Sequence, residues 1–218
     1  MPEEHLTQPS WTRSKYFAFF IVVIGNFAGA LDASVVNIAL PVMSKYFNVG
    51  LTQIQWVITA YSLGIVSILP ISSKLGNRYG QNKIYSLGFI LFGLGSLLCA
   101  LSSCLAALIV SRFIQASGSA MLFALAQSVV ANMFTGVKRG QFLGMIGSVV
   151  ALGSITGPSL GGILLDTFGW QALFNINLPL AAFGAYFAYK SLPSVKRRKL
   201  GKINANSAVL FMALSICF

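Results

Sequence analysis

Six long apolar stretches, separated by short polar segments, constrain the fold of this chain more than any other feature. They cover residues 16–40, 54–73, 84–103, 105–133, 141–165 and 171–189, and a seventh opens near residue 205. Crossing a bilayer takes about 20 apolar residues. Because backbone groups in lipid must be hydrogen-bonded within their own segment, the stretches are expected to be helices. The sequence therefore predicts an all-α membrane protein, with a six-helix bundle and the start of a seventh span.

The composition excludes a water-soluble globular protein. Charged residues make up only 9% of the sequence, and the mean hydropathy is +0.78. Soluble domains carry about 25% charged residues. The first apolar run, of about 24 residues, is longer than the apolar region of a signal peptide, so we interpret it as a retained span.

The basic residues predict the orientation of the spans. Fifteen Lys and Arg stand against four Asp and Glu. Two lie in the N-terminal tail, three in the second gap between spans, two in the fourth and six in the sixth, whereas the first gap has only Lys45 and the third and fifth have none. By the positive-inside rule, the N-terminus and the even-numbered gaps are cytoplasmic. No basic helix or aromatic platform is present, so we predict no nucleic-acid partner.

These observations divide the chain into four parts. We predict a cytoplasmic tail at 1–15, a six-span bundle at 16–189, a basic cytoplasmic connector at 190–204 and an interrupted seventh span at 205–218. A multi-pass protein of the cell (inner or plasma) membrane follows. A seventh span of about 14 residues cannot cross alone, so the chain is expected to be half of a longer protein.

Two ionisable residues lie well inside predicted spans, Asp32 in the first and Arg112 in the fourth. A charge at the bilayer centre costs about 2.5–3.5 kcal/mol on insertion scales, which makes each residue a candidate functional group. The alternatives are a structural partner of a neighbouring helix for Asp32 and a packing or snorkelling role for Arg112. At 100° per residue, Asp32 shares a face with Gly25 and Gly29, which is small enough to line a cavity or to let a helix approach closely.

A polar stripe follows Arg112 in the fourth span. Gln115 and Ser119 lie three and seven residues after it, on the same helix face. We expect the stripe to face the interior of the bundle.

The fifth span is rich in glycine. Gly153, Gly157 and Gly161 recur every four residues, beside Pro158. Simple helix packing through small residues is one explanation. The proline, followed by Gly161 and Gly162, also predicts a broken hydrogen-bond ladder and a bend.

Metal and enzyme chemistry are not indicated. The three cysteines, Cys99, Cys104 and Cys217, have no metal-binding spacing, and the single histidine, His5, lies in the polar tail. An integral-membrane enzyme would need a cluster of His, Asp or Glu. We therefore predict no metal, no cofactor and no enzymatic activity.

Four motifs occur in order on this topology. They are Leu31–Pro41 in the first span, Leu75–Gly80 after the second, Arg112–Gly118 in the fourth and Gly153–Gly162 in the fifth. Together they resemble the major facilitator superfamily, specifically its fourteen-span drug:proton antiporter branch. The segment Trp170–Phe174, with Asn177 and Pro179, resembles the start of the sixth span in this branch.

The resemblance implies roles for particular residues. It assigns proton coupling and substrate recognition to Asp32, Arg112 and Gln115. It assigns a cytoplasmic gating loop to Asn77, Arg78 and Gly80. It assigns the antiporter motif to the residues Gly153, Gly157, Pro158, Gly161 and Gly162.

The chain departs from the family pattern at the gating loop and near the sixth span. Ser73 stands where the family has glycine, Asn77 where it has aspartate, and Gln81-Asn82 where it has a basic pair. Asn77 lacks the charge that relatives place at a helix terminus, although it can still accept a hydrogen bond. Gln171 replaces the arginine that usually follows Trp170.

The implied mechanism is alternating access, in which two six-helix bundles rock about a site near the midplane. The short connector favours the fourteen-span arrangement. Protons would bind Asp32, since burial favours a neutral acid, and a lipophilic cation would favour the carboxylate. The expected partners are a lipophilic-cation substrate, protons, the lipid bilayer and the C-terminal half that the resemblance implies. The alternatives are a facilitator-type carrier of an endogenous metabolite and a non-transporting membrane fragment.

Overall fold

A computed structural model describes residues 13–192, and every structural statement below refers to that range. It contains eight helices and no strand. The helices are α1 (Arg13–Phe47), α2 (Leu51–Ile54), α3 (Trp56–Tyr79), α4 (Gln81–Ala100), α5 (Leu105–Met133), α6 (Gly136–Phe168), α7 (Ala172–Asn175) and α8 (Asn177–Ser191). The predicted connector from residue 193 onward and the predicted seventh span lie outside the described residues.

The prediction of six spans is confirmed. Six helical segments are long and apolar enough to cross a membrane, and they run over Lys15–Phe47, Leu51–Tyr79, Gln81–Ala100, Leu105–Met133, Gly136–Phe168 and Ala172–Ser191. The second and sixth of these each begin with a single short helical turn, α2 or α7. Most spans are longer than the apolar stretches that predicted them, because polar residues at a span end also take up helical geometry.

Helix α6 is continuous from Gly136 through Pro158 to Phe168, so Pro158 does not end it, and the bend expected there stays a prediction. A proline removes one backbone donor, and in a membrane helix its neighbours tolerate that loss. Pro41 in α1 and Pro70 in α3 are likewise inside continuous helices.

The connection that was predicted to be a gating loop is shorter than expected. Helix α3 continues to Tyr79, so Asn77 and Arg78 are helical, and Gly80 alone separates α3 from α4. Gly80 has a φ of 104°, which a side chain rarely adopts. One glycine is therefore enough to reverse the chain between two spans.

The helices pack as neighbours in a specific order. α5 lies against both α3 and α4, α8 lies against α4, and α6 lies mainly against α1. α4 and α5 meet backbone to backbone: a Cβ on Gly95 would lie 2.5 Å from the backbone nitrogen of Gln115, and one on Gly118 would lie 2.5 Å from the carbonyl oxygen of Gly88. Close approach of this kind is how small residues hold membrane helices together.

The apolar core has two large clusters, with polar residues between them, and a third small cluster of Ala28, Phe92 and Ala181. One cluster includes Tyr85, Phe89 and Leu122, and the other includes Met43 and Phe174. On α5 the buried polar residues 111–119 fall between the part that joins one cluster and the part that joins the other. The centre of the bundle is therefore polar.

Candidate functional site

The two ionisable residues in the span interiors form an ion pair. Asp32 on α1 and Arg112 on α5 approach to 2.6 Å between Oδ2 and Nη1, and both side chains are buried. In a poorly solvated interior each charge compensates the other, which a lone charge could not achieve. The two residues that the sequence indicated as separate candidates are therefore in direct contact in the structure.

Two carboxamides complete the shell of the carboxylate. The second oxygen of Asp32, Oδ1, accepts hydrogen bonds from Gln115 Nε2 at 2.9 Å and from Asn177 Nδ2 at 2.7 Å. Asn177 is the first residue of α8. The Asp32 carboxylate, which lies on α1, therefore accepts hydrogen bonds from both α5 and α8. Hydrogen bonds to a charged acceptor are stronger than neutral ones, so these two amides hold the Asp32 side chain firmly in place.

Arg112 has further partners besides Asp32. Its Nη1 also donates to Gln115 Oε1 at 2.7 Å, and its Nε donates to the carbonyl oxygen of Val57 on α3 at 3.4 Å. The guanidinium lies over the ring of Tyr61, 4.0 Å from the centroid, which is a cation–π geometry. The guanidinium therefore keeps several favourable contacts that do not involve Asp32.

Hydroxyl groups extend the network to α4 and back to α1. Gln115 Nε2 donates to Ser96 Oγ at 2.7 Å. Tyr61 Oη lies 2.8 Å from Ser119 Oγ and donates to the carbonyl oxygen of Gly29 at 3.2 Å. We call Asp32, Tyr61, Ser96, Arg112, Gln115, Ser119 and Asn177 the polar network; it links α1, α3, α4, α5 and α8.

The predicted residues Asp32, Arg112 and Gln115 are thus brought together, and the stripe from Arg112 to Ser119 faces the bundle interior as expected. Gly25 and Gly29 let other helices approach: a Cβ on Gly25 would lie 2.7 Å from Tyr85 Oη, and one on Gly29 would lie 2.8 Å from the ring of Phe123. Asn177 was not predicted as a site residue. The available signal was an amide inside the predicted sixth span, and a neutral amide stands out less there than an ionisable group.

The predicted antiporter motif forms the contact between α6 and α1. A Cβ on Gly153 would lie 3.0 Å from the carbonyl oxygen of Phe27, and one on Gly157 would overlap Ser34 Oγ. Ser34 Oγ donates to the Gly153 carbonyl oxygen at 3.3 Å, across the two helices. Gly161 continues this contact along Val35. By contrast, Gly162 has open space beside it and Pro158 is exposed, so these two residues face away from α1.

The predicted gating residues do not join the polar network. Asn77 and Arg78 are exposed at the end of α3, and Arg78 lies 5.4 Å from the ring centroid of its neighbour Tyr79. Behind them, Gln81 Nε2 donates to Ser128 Oγ at 2.5 Å, and Asn132 Nδ2 donates to Gln81 Oε1 at 3.2 Å. An uncharged set of side chains therefore ties the start of α4 to the end of α5.

The described residues contain no group of three or more metal-ligating side chains. The polar network itself consists of one carboxylate, one guanidinium and their hydrogen-bond partners.

Comparison with known proteins shows the family to which the chain belongs. Residues 22–216 match the family model of the Major Facilitator Superfamily. The chain belongs to the major facilitator superfamily, whose members are transporters rather than enzymes, and it is a multi-pass membrane protein. Its six spans correspond to the N-terminal half of that fold.

Among curated relatives, the riboflavin transporter RibZ of Clostridioides difficile is 40% identical over 181 residues, which cover 83% of this chain and 40% of that protein. The multidrug transporter protein MdtP of Bacillus subtilis is 33% identical, over 87% of this chain and 35% of its own length. The multidrug resistance protein Stp of Mycobacterium tuberculosis is 30% identical, over 92% of this chain and 37% of its own. The chain thus spans about 40% of the length of these relatives or less.

Solved structures show the same fold. The inward open xylose transporter XylE from E. coli aligns with a TM-score of 0.74 at 14% identity, and the alignment covers 93% of this chain and 56% of that one. A peptide transporter aligns with a TM-score of 0.70 at 17% identity, covering 93% of this chain and 44% of its own. Identities this low support the architecture alone.

Proposed function

We propose that this chain is the N-terminal half of a proton-coupled transporter of small organic molecules, with the Asp32–Arg112 ion pair as its proton-sensitive element. The observation that carries the proposal is the polar network, which places the only carboxylate in the described span interiors against a buried guanidinium. Ionisable residues inside a span are rare and commonly mark ion or substrate pathways, which supports a functional role for this pair.

The contacts of Arg112 explain how a proton would act. When a proton binds Asp32, the carboxylate loses its charge, and the ionic attraction between α1 and α5 is lost with it. Arg112 remains held by Gln115 Oε1, the Val57 carbonyl oxygen and the Tyr61 ring. The α1–α5 contact therefore has two states of different strength, which is what coupling a proton to a helix movement requires.

The rest of the fold supplies the moving parts. We propose that the bundle rocks against a second bundle as in alternating access, within the fourteen-span arrangement. In this proposal Gly153, Gly157 and Gly161 keep α1 and α6 moving as one unit, while Pro158 and Gly162 face the second bundle. Asn77, Arg78 and Gly80 gate the cytoplasmic end. Beside them, Gln81 forms hydrogen bonds to Ser128 and Asn132 at a position where the family has a basic residue.

Two substrate classes are supported by different observations. Lipophilic cations are the class expected from the sequence, and the relatives MdtP and Stp bear the name of multidrug proteins. Riboflavin is the second candidate, because RibZ is 40% identical over most of this chain. Direct binding of a cation by Asp32 would first require its release from Arg112.

The test is export from energised cells that express the chain together with the coding sequence that follows it in its gene. We expect accumulation of ethidium or riboflavin to fall, and the fall to disappear when an uncoupler collapses the proton gradient. Export at the same rate with and without the uncoupler would contradict proton coupling. No export of either compound would favour a non-transporting membrane protein.

Orientation in the cell membrane is tested separately. The charge distribution supports a cytoplasmic location for the N-terminus and the α3–α4 connection. On a background without cysteine, Arg78→Cys should react with a membrane-impermeant thiol reagent only in inverted vesicles. Labelling from outside intact cells would reverse the proposed orientation.

A further inference from the structure

A cavity of about 410 Å³ lies between α1, α5 and α6, apart from the polar network. Its walls are Asn26 of α1, Phe123 and Gln127 of α5, and four residues of α6 within 143–150. Sites for small organic ligands have volumes of about 300–1,000 Å³. The cavity is therefore large enough for a ligand of two or three fused rings.

The cavity lies close to Asp32 but does not include it. Asn26 precedes Asp32 by six residues, a rise of about 9 Å along α1. Between them, Gly29 lies against the Phe123 ring, where a Cβ would approach to 2.8 Å. Because Gly29 has no side chain, the ring of Phe123 can pack directly on the α1 backbone. Between one and two turns of α1 therefore separate the carboxylate from the cavity wall.

No side chain that lines the cavity carries a charge. The apolar part consists of the Phe123 ring and the aliphatic residues Leu143, Ile146 and Val150. The polar part consists of the carboxamides of Asn26 and Gln127. A cation held here would lose water without gaining a counter-charge, and that loss is costly. The lining therefore favours a neutral ligand.

The carboxamide of Gln127 indicates which neutral ligand fits the cavity. It carries a donor N–H₂ next to an acceptor C=O, and such a group pairs with an adjacent acceptor and donor on a flat heterocycle. Asn26 closes the inner wall: it is buried, and its Nδ2 already donates to the Val22 carbonyl oxygen at 2.8 Å, an acceptor it shares with Tyr85 Oη at 3.2 Å. Gln127 is exposed at the cavity and able to meet a ligand. Phe123 offers a ring on which a flat ligand can stack.

We infer that this cavity binds a neutral, flat heteroaromatic compound through an imide or lactam edge, in which N–H and C=O groups are adjacent. The inference rests on the proposed transport function and specifies its substrate class, since it places the ligand in the cavity and the proton at Asp32. Isoalloxazine and alloxazine rings have such an imide edge.

The experiment measures binding of lumichrome, an alloxazine without a sugar chain, to the purified chain in nanodiscs by fluorescence quenching. We expect saturable binding of lumichrome and of riboflavin. N3-methyllumichrome, in which a methyl group replaces the imide hydrogen, should bind about tenfold more weakly, because one hydrogen bond is lost and its partner is left unsatisfied. Ethidium, a flat cation, should not displace lumichrome.

The variants change the cavity without changing the core. Gly147 lines the cavity with open space beside it, so Gly147→Leu fills the cavity without a clash and should abolish binding. Gly140→Leu is the matched control: it lies on the same helix, also with open space beside it, but does not line the cavity, and it should bind as the wild type does. Gln127→Glu should weaken lumichrome binding about tenfold and allow ethidium to compete.

Two results would overturn the inference. One is no saturable lumichrome binding by the wild type; the other is equal binding by the wild type, Gly147→Leu and Gln127→Glu proteins. Each variant is first shown to be folded by its helical circular dichroism and its elution as a single species. The binding measurement uses no proton gradient, so its failure leaves the proton-coupling proposal to the transport assay, and the reverse also holds.

Discussion

The polar network and the cavity beside it both carry polar side chains within one bundle, yet they are built in opposite ways. The polar network contains a full negative and a full positive charge, closed off from solvent and surrounded by hydrogen-bond partners. The cavity is lined mainly by apolar residues, its only polar side chains are two amides, and it is open at Gln127 and Gly147. Six residues of α1 separate Asn26 from Asp32. A buried charge must be completely paired, and a completely paired group has nothing left for a ligand.

The contrast assigns different tasks to the two regions. In the state described here, Asp32 cannot recognise a cation directly, because Arg112, Gln115 and Asn177 occupy both of its oxygens. The cavity has room for a ligand but no group that titrates. Proton binding and substrate binding would then be coupled through α1, and they would not compete for one carboxylate.

Removal of the cation should have the largest effect on the closed region. Arg112→Leu leaves Asp32 buried without its counter-charge, and breaking a buried ion pair in this way costs about 3–5 kcal/mol. Denaturant unfolding of the purified chain in mixed micelles would measure the loss. The double variant Asp32→Asn/Arg112→Leu removes both charges and should recover most of the stability. Equal stability of wild type and Arg112→Leu would mean that the two charges are not coupled.

Loss of one amide donor should have a smaller effect. Asn177→Leu removes the 2.7 Å hydrogen bond to Asp32 Oδ1, and a hydrogen bond to a charged group contributes about 1.5–3 kcal/mol. The matched control is Asn37→Leu, since Asn37 is exposed and bonds only within its own helix, to the Ala33 carbonyl oxygen. The same unfolding measurement should separate the two. If the Asn37→Leu protein were as unstable as the Asn177→Leu protein, the loss of stability would come from the Asn-to-Leu replacement itself and not from the hydrogen bond to Asp32.

The wall of the cavity depends on the contact between α6 and α1. Gly157→Leu drives a side chain into Ser34, and overpacking of this kind costs about 1–3 kcal/mol. Gly144→Leu, on the open side of the same helix, should be close to neutral. If both variants unfolded at the same denaturant concentration, the α1–α6 contact would not contribute to stability.

The gating residues should show the smallest effect. Asn77→Asp restores the charge that the family has at this position, but Asn77 is exposed and helical. Exposed substitutions away from special features change stability by less than about 0.5 kcal/mol. A stabilisation well above that value would reveal a cationic partner near the end of α3.

The sequence predicted the spans well because lipid imposes one simple rule, about 20 apolar residues for each helix. It also predicted the inward stripe of Arg112, Gln115 and Ser119, which depends only on helical period. It did not predict that Arg112 reaches Asp32, because that contact joins residues 80 positions apart and depends on how α1 packs against α5. The loop predicted around Asn77 was wrong in extent, since a single glycine at Gly80 can turn the chain. Asn177 and Asn26 were missed because neutral amides give a weaker signal than charges in an apolar stretch.

The central claim is that Asp32 carries the coupled proton, and Asp32→Asn tests it most directly. Asparagine keeps the size and hydrogen-bonding capacity of the side chain but cannot ionise. The measurement is export of riboflavin and ethidium from energised cells, with and without an uncoupler, at matched amounts of membrane-inserted protein. We predict normal insertion, loss of uncoupler-sensitive export for Asp32→Asn, and partial export with a shifted pH profile for Asp32→Glu. Export by Asp32→Asn at the wild-type rate, still sensitive to the uncoupler, would contradict the account and leave the Asp32–Arg112 pair as a structural contact between two helices.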